Sequence, residues 1–138
     1  MTLHLHLQIV GTLLTGLGLS HLFFNRIFGW DRELAAVSLL TRRVFFVHTF
    51  FIGLGVVMAG AGSMFYASAL LEPSPLSRAL LAGCVVFWFC RLVTQFFVYD
   101  QEIWRGRRFY TAMHILFSML WIYVVATYGL ALRSVWIR

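Results

Sequence analysis

Four long apolar stretches, over about 5–26, 45–70, 76–99 and 109–132, constrain this chain more than anything else in its sequence. Each reaches the ~20 residues a helix needs to cross a hydrocarbon core ~30 Å thick. In lipid every backbone N–H and C=O must be satisfied within the segment, which a helix does and an open sheet does not. The reading is therefore an all-α, integral membrane four-helix bundle with antiparallel spans and short loops. Residues 1–138 form a single transmembrane domain.

Composition supports this. Of the 138 residues, 61 % are hydrophobic and only 12 % charged, about half the charged share of a soluble domain. All 11 basic residues are arginine, against 5 acidic ones, for a net charge of +6. In a soluble chain such a surplus points to nucleic acid. Here most arginines lie between the apolar runs, so the membrane accounts for them and no nucleic-acid partner is expected. Four spans leave no room for a soluble domain.

The connections carry recognisable breaks. Asp31 is expected to cap a helix starting after Trp30, with Glu33 in its first turn. Residues 31–44 then form an interfacial helix or a cytoplasmic extension of the second span. Glu72, Pro73, Ser74 and Pro75 break the chain between the second and third spans. Arg105, Gly106, Arg107 and Arg108 make a basic turn before the fourth. The N-terminal run has no basic residue before it and no small-residue cleavage site after it, so it reads as a retained span and not a signal peptide.

The arginines also set an orientation. Loop one carries Arg26, Arg32, Arg42 and Arg43, and loop three Arg105, Arg107 and Arg108. The opposite side carries Arg78, Arg133 and Arg138. The excess places loops one and three in the cytoplasm and both termini outside, in a membrane of the bacterial inner type. Trp30, Trp104 and Tyr110 on one side, and Tyr66, Tyr128 and Trp136 on the other, suit the two interfaces. Small residues at helical spacing predict packing faces: Gly11, Thr15, Gly18, His21 and Asn25 in the first span, Gly55, Ala59, Gly62 and Ser63 in the second. Cys84 and Cys90, six apart in one apolar run, read as packing thiols.

Polar side chains inside the runs cost the most to keep there and so say the most. In the third span Trp88, Arg91, Gln95 and Tyr99 share a helical face. His21, His48 and His114 lie in the first, second and fourth spans. Counted from the neighbouring loop residues, His21, His48, Gln95 and His114 each lie roughly 7–9 Å inside the same boundary at ~1.5 Å per residue. Arg91 lies deeper still. A polar cluster in the cytoplasmic leaflet is expected, with Asp100 and Glu102 at its mouth.

Three uses of such a cluster compete. Histidines on facing helices can hold a haem b or a metal ion, with His48 and His114 the preferred pair, His21 the substitute and Arg91 facing a propionate. His114, Gln95, Tyr99 and Arg91 can instead hydrogen-bond the head of a quinone or another polar-headed lipid, which includes a lipid-modifying reaction using Arg91 and His114. Or the groups are structural: each histidine bonds a backbone carbonyl or a nearby hydroxyl such as Thr49 or Ser118, and Arg91 pairs with Asp100 or snorkels toward the cytoplasmic surface. The chain is then an accessory subunit, packed against other membrane subunits or a second copy of itself. The leading expectation is a small membrane redox protein near a quinone. There is no lysine for a Schiff base, no H-E-x-x-H, G-x-S-x-G or P-loop pattern, and no acidic residue inside a run for a carboxylate-bridged metal pair.

Overall fold

A computed structural model describes residues 2–99 and 106–137, and every regular element among them is helical. Four helices are long and apolar enough to cross a membrane: α1 (Thr2–Phe28), α3 (Leu39–Phe65), α5 (Pro75–Phe97) and α6 (Arg108–Ile137). Two single-turn helices lie between them, α2 (Trp30–Glu33) and α4 (Ala67–Leu70). Between 17 and 33 % of the most apolar window of each long helix is buried by protein. Most of the apolar surface therefore faces outward, including Phe51, Met58, Phe87 and Met119. Lipid solvates such a surface and water does not, so this is a membrane protein with the bilayer as its surroundings.

The described residues fall into two compact units. One is Gln8–Tyr66; the other joins the residues up to Leu7 with those from Ala67 onward.

In the Gln8–Tyr66 unit, α1 and α3 run antiparallel with their backbones almost touching. A methyl group at Gly60 would fall 2.5 Å from the Thr15 nitrogen, and one at Gly11 2.5 Å from that of Met64. Seven residues along α1, Gly18 lies as tightly against the Gly53 carbonyl. Without a hydrophobic drive between helices in lipid, this intimacy of backbone packing is what joins them. The α1 face matches the expected one. The α3 face matches only at Ser63: the buried residues are Gly53, Val56, Gly60 and Ser63, whereas Gly55 and Gly62 meet nothing. Two small-residue stripes run along this glycine-rich helix, and composition could not say which one faces α1.

The turn between them also differs from the expected one. Gly29 takes a left-handed conformation (φ 67°) and ends α1. Asp31 caps nothing: its carboxylate accepts from Asn25 Nδ2 at 2.7 Å. The cap belongs to Ser38, whose Oγ accepts from the Thr41 nitrogen at 3.2 Å and starts α3. The stretch 31–44 is thus no single interfacial helix. It is split into α2, a 3-10 turn (Leu34–Ala36), and the first turns of α3. With that cap α3 begins six residues before the expected 45, and it ends at Phe65, short of the expected 70.

In the other unit α5 and α6 are the antiparallel pair. Ser74 caps α5 and Pro75 occupies its first turn, where a missing N–H costs nothing. Ser77 Oγ donates to the Ala69 carbonyl at 2.9 Å and ties α4 to α5. The pair is held by Trp88 and Trp121, stacked 5.1 Å apart and 15° from parallel. At its far end Arg78 Nε donates to the Val135 carbonyl at 3.1 Å, with the guanidinium over Trp136. The first turns of α1 join this unit through His4 to Ser68 Oγ (3.0 Å) and His6 to the Tyr123 hydroxyl (2.7 Å). Cys84 and Cys90 are free thiols. Asp100, Glu102, Trp104, Arg105 and Arg138 lie outside the described residues.

Candidate functional site

The face expected on the third span exists and meets α6. Trp88, Arg91 and Gln95 follow one another at steps of three and four, so one side of α5 presents them; Tyr99 lies two residues past the end of α5 and reaches Arg91 by a ring contact. On α6, His114, Ser118 and Trp121 recur at the same spacing. Gln95 is 4 % exposed, Trp88 2 % and Trp121 3 %, while Arg91 is half-buried.

A chain of polar contacts crosses this pair. Arg91 Nη1 donates to Gln95 Oε1 at 3.1 Å, and Gln95 Nε2 lies 2.8 Å from His114 Nδ1. Because the amide oxygen already accepts from the guanidinium, its nitrogen must be the donor toward the ring. His114 Nδ1 therefore accepts, and the ring proton sits on Nε2. Ser118 Oγ donates to the His114 backbone carbonyl at 2.8 Å, not to its ring. Phe96 packs edge-on to the imidazole.

The guanidinium of Arg91 lies 4.9 Å over the Trp121 ring and 5.8 Å from that of Tyr99. Cation–π contact of this kind is strengthened when water is excluded. One of the five guanidinium N–H groups is used on Gln95. Among the described residues no carboxylate pairs with Arg91. Trp121 adds a second anomaly: its Nε1–H is buried and has no acceptor. Two neighbouring donors on this face thus want for oxygen. Trp121 is absent from the expected site, although its spacing of seven from His114 puts it on the same face.

The other two histidines belong to the Gln8–Tyr66 unit. His21 Nδ1 lies 2.8 Å from the Leu17 carbonyl, and His48 Nδ1 2.8 Å from that of Val44. A carbonyl only accepts, so each ring carries a proton on Nδ1, whereas Nδ1 of His114 accepts. His21 sits against Gly53 and Phe24. His48 lies five residues before Gly53, about 140° round α3, and is exposed. His21 thus sits at the α1–α3 contact, and His48 on another side of α3. Among the described residues no group of three His, Cys, Asp or Glu side chains could hold a metal ion. Of the expected site residues, the structure thus brings Arg91, Gln95, Tyr99 and His114 together in one unit.

Comparison of the chain with known protein families, with curated proteins and with solved structures gives no match. What the fold defines is a class, an all-helical membrane protein with four apolar helices long enough to span. Its chemistry has to be read from the polar chain itself. That chain offers a fixed cation and hydrogen-bond donors toward whatever approaches Arg91, which suits an oxygen-rich head and not a second donor.

Proposed function

We propose that this chain is a small membrane protein that binds, at Arg91, Gln95 and His114, the oxygen-bearing head of a membrane-soluble amphiphile. A quinone carbonyl and a lipid phosphate share the required chemistry, since both accept hydrogen bonds. The observation that carries the reading is Arg91 itself. It is held in place by Gln95 and Trp121, has donors to spare, and lacks a carboxylate among the described residues. In a membrane such a cation is costly and marks a binding or transport path by default. Arg91 lies six residues from the end of α5, so its backbone is roughly 9 Å inside the helix end. The guanidinium reaches back from there toward the helix end, to Gln95 and Tyr99, which brings the charge closer to a quinone ring or lipid head than its backbone lies. In the same reading loops one and three are cytoplasmic and the membrane is a bacterial inner membrane, as the arginine excess suggests.

The test is extraction. The protein is purified in mild detergent, and its bound quinones and lipids are identified by mass spectrometry beside those of Arg91→Ala. One amphiphile enriched on the parent and lost from the variant, with helicity unchanged, is the expected result. Identical profiles overturn the reading and leave a purely structural subunit of a larger membrane complex.

A redox role has one observation of its own. His21 and His48 donate from Nδ1 to backbone carbonyls, so the neutral form of each ring would offer its Nε2 lone pair to a haem iron or a metal ion, with the carbonyl bond as outer support. His114 is the weaker ligand of the expected three, because ligation at Nε2 would move its proton to Nδ1 and set it against the Gln95 amide N–H. An absorption spectrum before and after dithionite decides this. Resolved α and β bands lost in His48→Ala support a haem; a flat spectrum from haem-replete cells removes it.

A further inference from the structure

Resting on the binding reading above, we propose that the amphiphile is an anionic phospholipid, held through its phosphate by the Arg91 guanidinium with the Trp121 indole N–H as a second donor. Three observations carry this beyond a generic acceptor.

The first is charge. Arg91 is a permanent cation inside an apolar helix, and no carboxylate among the described residues neutralises it. A neutral carbonyl gives it a hydrogen bond but no opposite charge. A phosphate gives both.

The second is shape. Gln95 fixes one edge of the guanidinium and Trp121 and Tyr99 flank it with their rings, so the plane is set before any ligand arrives. A planar fork with free N–H groups matches two phosphate oxygens at once.

The third is the orphaned indole. Trp121 Nε1–H is buried without an acceptor, on the same ring that the Arg91 guanidinium covers. A phosphate carries several oxygens, so one head spans donors about 5 to 7 Å apart at hydrogen-bond lengths of ~2.9 Å. The same end of this helix pair carries Arg107 and Arg108, both exposed, which favour the approach of an anionic head.

The experiment uses the full chain in vesicles of equal parts phosphatidylcholine and phosphatidylglycerol containing decylubiquinone. After stripping in detergent, the molecules still bound are measured by native mass spectrometry. The parent is expected to keep phosphatidylglycerol roughly tenfold over phosphatidylcholine, whose own choline cation competes with Arg91 for the same phosphate and leaves no net charge to compensate it. Arg91→Gln is expected to abolish the preference. Arg91→Lys, which keeps the charge and loses the fork, is expected to weaken it severalfold and stands in should the glutamine variant fail to insert. Trp121→Phe keeps the ring stack, loses the N–H, and is expected to weaken retention severalfold. Arg133→Gln, at the far end of α6, is expected to change nothing. Retention of decylubiquinone that depends on Arg91 overturns the phosphate assignment and leaves the binding reading standing. Retention that ignores both Arg91 variants, of either molecule, overturns both.

Discussion

The side-chain amide of Gln95 donates to Nδ1 of His114 at 2.8 Å, and through its other end accepts from Arg91. That pair of contacts gives His114 the opposite tautomer from His21 and His48. In 15N spectra of histidine-labelled protein with neutral rings, we expect the protonated nitrogen to be Nε2 in His114 and Nδ1 in the other two. A proton on Nδ1 of His114 would mean that the amide is turned around and the Arg91 contact broken.

Removing Gln95 strands groups on both sides of it. Gln95→Leu is expected to cost about 1–3 kcal/mol, the penalty for leaving buried partners unpaired. Combining it with His114→Phe is expected to cost less than the sum of the two single changes, because the second removes a group the first left stranded. Reversible unfolding in mixed micelles measures the cycle, and strict additivity would show the contact to be unimportant.

Gly60 and Gly62 look alike in sequence and should behave in opposite ways. Gly60→Ala drives a methyl group into the Thr15 backbone and is expected to destabilise by roughly 1–3 kcal/mol, the usual cost of overpacking. Gly62→Ala meets open space and is expected to be neutral or to stabilise by up to ~1 kcal/mol through helix propensity. Thermal unfolding in detergent compares them; equal effects would refute the assigned face.

The start of α3 offers a further contrast. Ser38→Ala removes the side chain that accepts from Thr41 and is expected to cost about 0.5–2 kcal/mol. Asp31→Ala leaves that cap intact and breaks only the Asn25 contact. Hydrogen exchange at residues 39–42 is expected to quicken in the first variant and stay unchanged in the second.

Much of this architecture is written in the linear chain. Run length alone yields four long helices, since nothing else satisfies a backbone in lipid. Pro73 and Pro75 mark the break before α5 because proline cannot continue a helix. The polar face of α5 is equally legible, as steps of three and four fix which side chains stand together. Helix ends were less so: Asp31 and Ser38 are both good caps in isolation, but Asp31 falls inside the short α2 and bonds Asn25, while Ser38 caps α3.

Sequence by itself determined where polar groups lie along each helix, because depth follows from counting residues at a constant rise. Tertiary structure decided what those groups face. Rotation about a helix axis is set by packing, and nearly uniform apolar runs carry almost no periodic signal to fix it. Thus Arg91, Gln95 and His114 became one hydrogen-bonded chain with Trp121 beside it. Gly53 and Gly60, rather than Gly55 and Gly62, met α1, because only on that face did the two backbones close to contact.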